Sequence, residues 1–341
     1  MLKPFIRKVM EGRDLSRKEA TSAMAILMDG ETTDAQIAAL AVALRMKGET
    51  SEEIVGLAAA MRERAVRVPG NGRDLLDTCG TGGDGLSTLN VSTLTAFVVA
   101  GAGLKVAKHG NRASSGRFGS ADLLEALGLK LEMSPQRVTE SLDRIGLAFF
   151  FAPAFHPALR HAAAARKAVG TRTFFNLLGP LCNPARAGKQ LIGIYDGARL
   201  RMMAEAARDL GVRRALVVHG SDGMDELTVT GPSHAISLEG GVLRMLTIRP
   251  EDAGLKRHSL RSVRGGGPES NVRSAIAILA GKRCAGRDLV LLNAAAALHV
   301  GGLARGLREG ARLAAESLDT GRAAAKLEAL RSFTRLEGNG E

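Results

Sequence analysis

Residues 74–110 read DLLDTCGTGGDGLSTLNVSTLTAFVVAGAGLKVAKHG, and the succession of textures in that run decides the fold. A short apolar strand, DLLDTC, runs into a glycine-rich loop. An apolar helix follows through STLTAFVVAGAG, and a second strand, LKVAKHG, comes after it. Strand, helix and strand in close succession imply a parallel pair joined by a crossover. Downstream the alternation continues. SADLLEALG reads as a helix with Ser120 as N-cap, and SPQRVTESLDRIG as one with Ser134 as N-cap and Pro135 at the first helical position. Strands are expected at 147–151, 190–195 and 215–219, and a hairpin within 227–247 around EGG. From 268 onward the chain reads as helical, with the alanine-rich LVLLNAAAALHVGGLA buried on all sides.

Upstream the texture is different. The first 67 or so residues carry helical signals only. Ser16-x-x-Glu19, Thr33-x-x-Gln36 and Thr50-x-x-Glu53 are three capping-box patterns, each opening an amphipathic run. They predict three capped helices in a small bundle, followed by a linker at VPGNG (68–72). The expected organisation is therefore a helical domain over residues 1–70 and a larger α/β domain over 71–341 with a mostly parallel central sheet.

Composition narrows the function. With 45% hydrophobic and 24% charged residues among 341, the chain is that of an ordinary globular protein, and its length favours two lobes. The net charge of +12 raises nucleic-acid binding, but the arginines are scattered and there is one Tyr and no Trp to stack on bases. A basic surface that attracts small polyanions is the better reading. Cys79, Cys182 and Cys284 are odd in number and form no C-x-x-C pair, which argues against a disulfide framework or a zinc site. No window approaches 18 uncharged apolar residues, and MLKPFIRKVMEGRD lacks a signal-peptide core. The expectation is a cytoplasmic protein with no membrane or nucleic-acid partner.

In α/β sheets ligands bind beyond the carboxyl ends of the strands, which directs attention to 79–93, 108–120 and 219–226. Gly80, Gly82 and Gly85 satisfy the G-x-G-x-x-G spacing of a dinucleotide site. That site wants an acid at the end of the second strand, where this chain has Lys108-His109. The mismatch weakens the dinucleotide reading and leaves it open, as is that of a plain tight turn capped by Asp84. A P-loop fails more plainly, because no Gly-Lys-Ser/Thr follows. What the loop does offer is free backbone N–H groups beside a helix N-terminus, with Ser87, Thr88, Asn90, Ser92 and Thr93 as short polar groups. The second segment adds Lys108 and Arg112, with Ser114, Ser115 and Ser120 as donors and Gly110, Gly116 and Gly119 for close approach. A ligand with more than one phosphate group suits the two together. In the third, Asp225 and Glu226 are adjacent carboxylates, the kind of pair that holds magnesium together with substrate phosphates.

GTGGDG…NVST, KHGNR…GSADLLEALG, HPALRHAAAARKAVGTRTFFNLLGPLCNPA, DGMDE and DLVLLNAAAALHVGG, in that order, resemble the anthranilate phosphoribosyltransferase family over most of residues 75–302. The resemblance implies a nucleoside-phosphorylase-like fold, dimerisation through the helical part with helical contributions from about 155–185, and a place in tryptophan biosynthesis. It implies joining anthranilate to phosphoribosyl pyrophosphate (PRPP), giving N-(5-phosphoribosyl)anthranilate and pyrophosphate. Carried onto this chain, it assigns PRPP to Gly80, Gly83, Asp84, Thr88, Asn90, Val91, Ser92 and Thr93. The same ligand would continue along Lys108, His109, Gly110, Asn111, Arg112, Ala113, Ser114, Ser115 and Gly116, and to Ser120. Magnesium would fall to Ser92, Asp225 and Glu226, and anthranilate to Gly80, Asn111 and Arg166. Gly116 stands where the family pattern has a second serine, so its contact is left to the backbone; Cys182 stands where Thr is common.

The implied chemistry agrees with the residues. Displacing pyrophosphate builds negative charge on the leaving group, which magnesium and Lys108 can stabilise. Anthranilate's amine is a weak, neutral nucleophile, so positioning matters more than base catalysis, and Arg166 can grip its carboxylate in a two-point fork. His109 is expected either as a base or as a packing residue. A pyrimidine nucleoside phosphorylase of the same fold and a non-enzymatic nucleic-acid-binding relative are the alternatives.

Overall fold

The computed structural model describes residues 1–86, 88–113 and 118–335. Seven strands form one sheet: β1 (Leu76–Gly80), β2 (Val106–Gly110), β3 (Leu147–Phe151), β4 (Lys189–Gly193), β5 (Arg214–Gly220), β6 (Ser233–Glu239) and β7 (Val242–Ile248). Their spatial order is β3-β2-β1-β4-β5-β6-β7. The first five are parallel, and β6 and β7 are antiparallel additions at one edge. This is the mostly parallel sheet expected, with the hairpin of EGG as its last two strands. The crossovers run outward from β1 on one side and from β4 on the other, so the order reverses between those two strands. A crevice at their carboxyl ends follows from that reversal.

Helices cover both faces. The helix Val91–Gly101 buries every residue except Ser92, which matches its mostly apolar sequence. Ala285–Gly301 is buried without a break from Leu289 to Leu298, and its alanines let neighbours come close. A Cβ on Gly310 of the helix Leu307–Asp319 would lie 2.5 Å from the Ala295 carbonyl, so that crossing admits no side chain.

The amino-terminal region holds four helices, Lys3–Met10, Arg17–Met28, Asp34–Lys47 and Ser51–Glu63, one more than the capping signals predict. Lys3–Met10 lacks a side-chain cap, which is why those signals miss it. Ser16 and Thr50 close full capping boxes with Glu19 and Glu53. Thr33 caps Gln36 N–H, but the Gln36 side chain accepts from Thr32 Oγ1 at 2.7 Å instead of returning to the cap. The expected N-cap at Ser120 is also displaced by one residue: Gly119 is the cap, and Asp122 takes the Gly119 N–H at 2.7 Å. Ser120 Oγ donates instead to the Asn111 carbonyl at 3.1 Å. The buried side chains of the helical region are continuous with those of the helix Phe174–Leu181 and the β4–β5 face, including Phe174, Leu178, Ile192 and Met203.

Candidate active site

The β1–β4 crevice is built by backbone proximity. Gly80 and Gly193 are partners in register at the carboxyl ends of β1 and β4. A Cβ on Gly193 would sit 1.6 Å from the Asp225 carbonyl oxygen, and one on Gly80 would sit 2.8 Å from Asp225 Oδ2. Glycine at 193 lets the loop carrying Asp225-Glu226 fold down over the strand ends, and a side chain at 80 would displace the Asp225 carboxylate. Beyond Gly80 the chain turns through Gly82, Gly83 and Gly85, all at φ between 68° and 79°, where other residues are strained. Asp84 caps that turn through the Leu86 N–H at 3.0 Å, as the plain-turn reading expects, but the loop does more. Gly82 N–H donates to Asp225 Oδ2 at 2.7 Å, and Ser92 N–H donates to Glu226 Oε1 at 3.1 Å. Glycine loop, helix N-terminus and acidic pair are thereby one unit.

Charge in that unit is unbalanced. Burial, and then the charge of Asp84, raise the Asp225 carboxyl to about 7; burial and then Asp225 push Glu226 well up. Lys108 is buried and opposes the rise of Glu226, with its Nζ donating to the Thr78 carbonyl at 2.5 Å. Two adjacent buried carboxylates short of positive charge, with Asp84 adding negative charge nearby, suit a divalent cation. Among the described residues no three His, Cys, Asp or Glu side chains converge as a cation cage. Magnesium, which keeps its waters and takes one or two protein carboxylates plus phosphate oxygens, fits such a set better than zinc does.

The helix N-terminus supplies open polar groups. Asn90 donates through Nδ2 to the Phe118 carbonyl at 3.1 Å, while Asn90 Oδ1 and Thr93 Oγ1 are buried without partners among the described residues. Thr88 forms an isolated bridge with Arg264. Val91 points into the core, so only its backbone can face a ligand. In the second segment, Asn111 Oδ1 accepts from Arg112 N–H at 2.7 Å and Ala113 N–H donates to Asp122 at 3.1 Å. The Arg112 guanidinium is held by Glu125 at 2.7 and 3.0 Å. Gly110, at the end of β2, approaches Ser120 and Phe149 so closely that a Cβ would clash with both. Ser114, Ser115 and Gly116, together with Ser87, lie outside the described residues.

Behind the loops lies a histidine pair that the sequence singled out only in part. His109 and His156 rings are 5.3 Å apart. His109 Nδ1 meets the Gly179 carbonyl at 3.1 Å and His156 Nε2 the Cys182 carbonyl at 2.9 Å. A carbonyl only accepts, so those nitrogens carry the protons, and His109 Nε2 and His156 Nδ1 are bare acceptors without partners among the described residues. Burial, above all, lowers His109 to about 3 and His156 to about 4, and both rings are neutral at pH 7. Arg166, on the helix Ala163–Val169, lies over the Phe175 ring at 5.1 Å. Burial lowers its pKa, and its guanidinium has no hydrogen bond or ion pair among the described residues. Phe175 belongs to the same helix as Gly179, which ties Arg166 to His109.

The histidines carry a pH prediction. His156 titrates near 4 when folded and near its ordinary 6.5 when unfolded. The unfolded chain therefore takes up the proton first as pH falls, and the stability present above 6.5 is lost progressively toward 4. By pH 5 the loss from His156 is about 2 kcal/mol. Urea midpoints should drop between pH 7 and 5, and drop less in a His156→Asn variant.

Sequence reasoning passed over the residues that brace the site. Asp77, fully buried in β1, accepts His109 N–H at 3.1 Å and Asn183 Nδ2 at 2.8 Å, and Asn183 also donates to the Ala107 carbonyl at 2.8 Å. Asn293 holds both backbone groups of Leu227, accepting its N–H at 3.0 Å and donating to its carbonyl at 2.8 Å, next to the acidic pair. The available signal was a lone polar residue inside an apolar run. Asn293→Ala leaves two buried backbone groups unpaired and should lower the unfolding free energy by roughly 2–4 kcal/mol in urea titrations.

Comparison with known proteins decides the family. Residues 3–65 match the model of the glycosyl transferase family helical bundle domain, and residues 72–324 that of its a/b domain. The chain is 53% identical to the anthranilate phosphoribosyltransferase of Moorella thermoacetica over 330 residues, covering 97% of each protein. It belongs to the anthranilate phosphoribosyltransferase family. The enzyme of Persephonella marina is 48% identical, with 98% of this chain and 99% of that protein covered. Among solved structures, anthranilate phosphoribosyltransferase of Thermus thermophilus superposes with a TM-score of 0.90 at 46% identity, covering 97% of this chain and 99% of that one. The Saccharomyces cerevisiae enzyme in complex with PRPP and Mg also gives 0.90, at 27% identity with 98% of each chain covered. The nucleoside-phosphorylase-like architecture expected from the sequence, helical bundle plus α/β domain, is thus the one found.

Proposed function

We propose that this chain transfers the 5-phosphoribosyl group of PRPP to the amine of anthranilate, releasing pyrophosphate, as a step of tryptophan biosynthesis in the cytoplasm. The observation that carries this reading is the Gly82–Asp225 hydrogen bond at the strand-order reversal, which joins the phosphate-cradling loop to the acidic pair. Backbone N–H groups of residues 83–85 and the N-terminus of the helix Val91–Gly101 hold the phosphates, with Thr93 Oγ1 as donor and Asn90 Oδ1 as acceptor for a ribose hydroxyl. The segment from Lys108 to Gly116, with Ser120, continues that site. Asp225, Glu226 and Ser92 are the candidate magnesium ligands. Bound magnesium supplies positive charge that neutralises the pyrophosphate oxygens. Lys108 supplies a fixed positive charge beside them. Arg166 grips the anthranilate carboxylate, Asn111 and Gly80 line the ring's approach, and bare His109 Nε2 accepts from the amine and aims its lone pair at the ribose. His109 orients; a ring titrating near 3 is too weak a base to do more at pH 7.

The test is stoichiometry. With PRPP, anthranilate and magnesium, pyrophosphate should appear in a one-to-one ratio with anthranilate consumed. Turnover of pyrimidine nucleosides with inorganic phosphate, in place of anthranilate consumption, would favour the phosphorylase alternative, which has no use for a carboxylate-gripping Arg166.

We also infer a homodimer through the helical domain (residues 1–70, with 155–185). Met10, Val42 and Met46 are exposed, the last at 83%, on two helices that pack together. Burying such side chains contributes roughly 1.5–3 kcal/mol each. A Val42→Asp/Met46→Asp variant should sediment as a monomer where the natural protein sediments as a dimer; an unchanged dimer would place the interface elsewhere.

A further inference from the structure

A basic concavity lies at the other end of the sheet. Gly72 and Arg73 precede β1, Gly188 precedes β4 and Arg213 precedes β5, and these residues line a cavity of about 730 Å³ at the amino ends of the strands. Its remaining wall is the connection at 65–71 between the helical bundle and β1, together with Pro184–Arg186. Arg62, Arg67, Arg73, Arg186 and Arg213 all line it, and no carboxylate does. Five guanidiniums around one space repel one another, and an anion is what relieves that repulsion.

The positive charge is largely unspent. Arg213 meets Asp74 at 3.1 Å, just outside the lining, but its Nε is buried without a partner among the described residues. Arg62 is directed to the carbonyls of Leu181 and Leu210 at 2.6 and 2.7 Å, which satisfies its donors without cancelling its charge. Arg67, Arg73 and Arg186 have no carboxylate partner among the described residues. The wall that carries them is rigid. Gly188 N–H donates to the Gly72 carbonyl at 2.9 Å, Arg213 N–H to the Gly188 carbonyl at 2.9 Å, and Arg213 Nη2 to the Arg73 carbonyl at 2.9 Å. Arg186 is the one non-glycine among the described residues in the left-handed backbone region, at φ 52°, a strain of the kind that binding sites retain. The volume is that of a small-molecule site, and Val66, Val68 and Pro184 leave an apolar floor.

We propose that this cavity binds a small, multiply phosphorylated anion at a site separate from the PRPP and anthranilate sites, bridging the interdomain connection and the amino edge of the sheet. Guanidinium forks recognise phosphate in two-point contacts, and three uncommitted ones around one space favour a ligand with more than one phosphate group over a monoanion. The proposal does not depend on the activity assigned above.

Calorimetric titration with sodium tripolyphosphate, in EDTA so that no metal-assisted binding contributes, tests it. The natural protein should bind one equivalent. An Arg67→Gln/Arg73→Gln/Arg186→Gln variant, changed only at positions outside the catalytic crevice, should bind at least about tenfold more weakly while keeping its turnover without the probe. Equal affinity in the variant would assign the binding to the glycine loop and overturn the proposal, as would no measurable binding to the natural protein at about 10 mM probe.

Discussion

An Asp225→Asn/Glu226→Gln variant should lose magnesium-dependent turnover by about a thousandfold or more, since charge neutralisation at a leaving phosphate is worth several kcal/mol and each 1.36 kcal/mol is tenfold. It should remain folded. Both carboxyls are raised by burial, so at neutral pH their ionisation works against the folded state, and the neutral amides remove that penalty. Thermal melting in EDTA should therefore be unchanged or higher than that of the natural protein. Gly82 and Ser92 keep acceptors, because each amide retains a carbonyl oxygen. Full turnover with unchanged magnesium dependence would remove the pair from the metal site; a lowered melting temperature would mean that the loss of activity reports a damaged loop.

Arg166→Ala should act on one substrate only. The guanidinium is drawn out of water over Phe175 with no carboxylate among the described residues to hold it, an arrangement that suits an arriving carboxylate. Truncating one partner of such a charge pair costs about 2–5 kcal/mol, so kcat/KM for anthranilate should fall roughly a hundredfold. The KM for PRPP should stay within about twofold, because the loops proposed for the phosphates are separate from the helix that carries Arg166. Arg166→Lys should recover only part of the loss, since an ammonium cannot offer the planar fork. Steady-state kinetics with each substrate varied in turn reads both numbers, and equal effects on the two would displace Arg166 from the anthranilate side.

What was legible in the sequence was whatever local chemistry signals. The run from 74 to 110 carries strand, turn and helix signatures at their proper periods, and each element forms there. Ser16 and Thr50 announce their helices because the capping residue and its partner are three positions apart. Errors arose where a neighbour competes. Gln36 is drawn to Thr32, and Ser120 to the Asn111 carbonyl, so neither pattern closes as written. Long-range polar contacts were illegible in kind. Asp77 meets Asn183 from 106 positions away, and Asn293 meets Leu227 from 66. A single asparagine in an apolar helix carries no mark of the backbone it will hold. His156 was passed over for the same reason, since its meaning lies in its contact with His109 across two chain segments.

In the site itself, residue types were legible and their commitments were not. Arg112 looks like a phosphate ligand in KHGNR, yet its guanidinium is engaged by Glu125 and Asp122. Val91 lies between Asn90 and Ser92, both proposed to face the ligand, but turns its side chain into the core. The dinucleotide spacing of Gly80, Gly82 and Gly85 reflects the needs of the loop: close approach at Gly80 and left-handed turns at the other two.

The most direct test of the central claim is to follow anthranilate fluorescence with the natural protein. In the presence of PRPP and magnesium the fluorescence should decay to completion, and omission of either should leave it flat. Fluorescence that stays constant with all three present would contradict the assignment of this site to phosphoribosyl transfer.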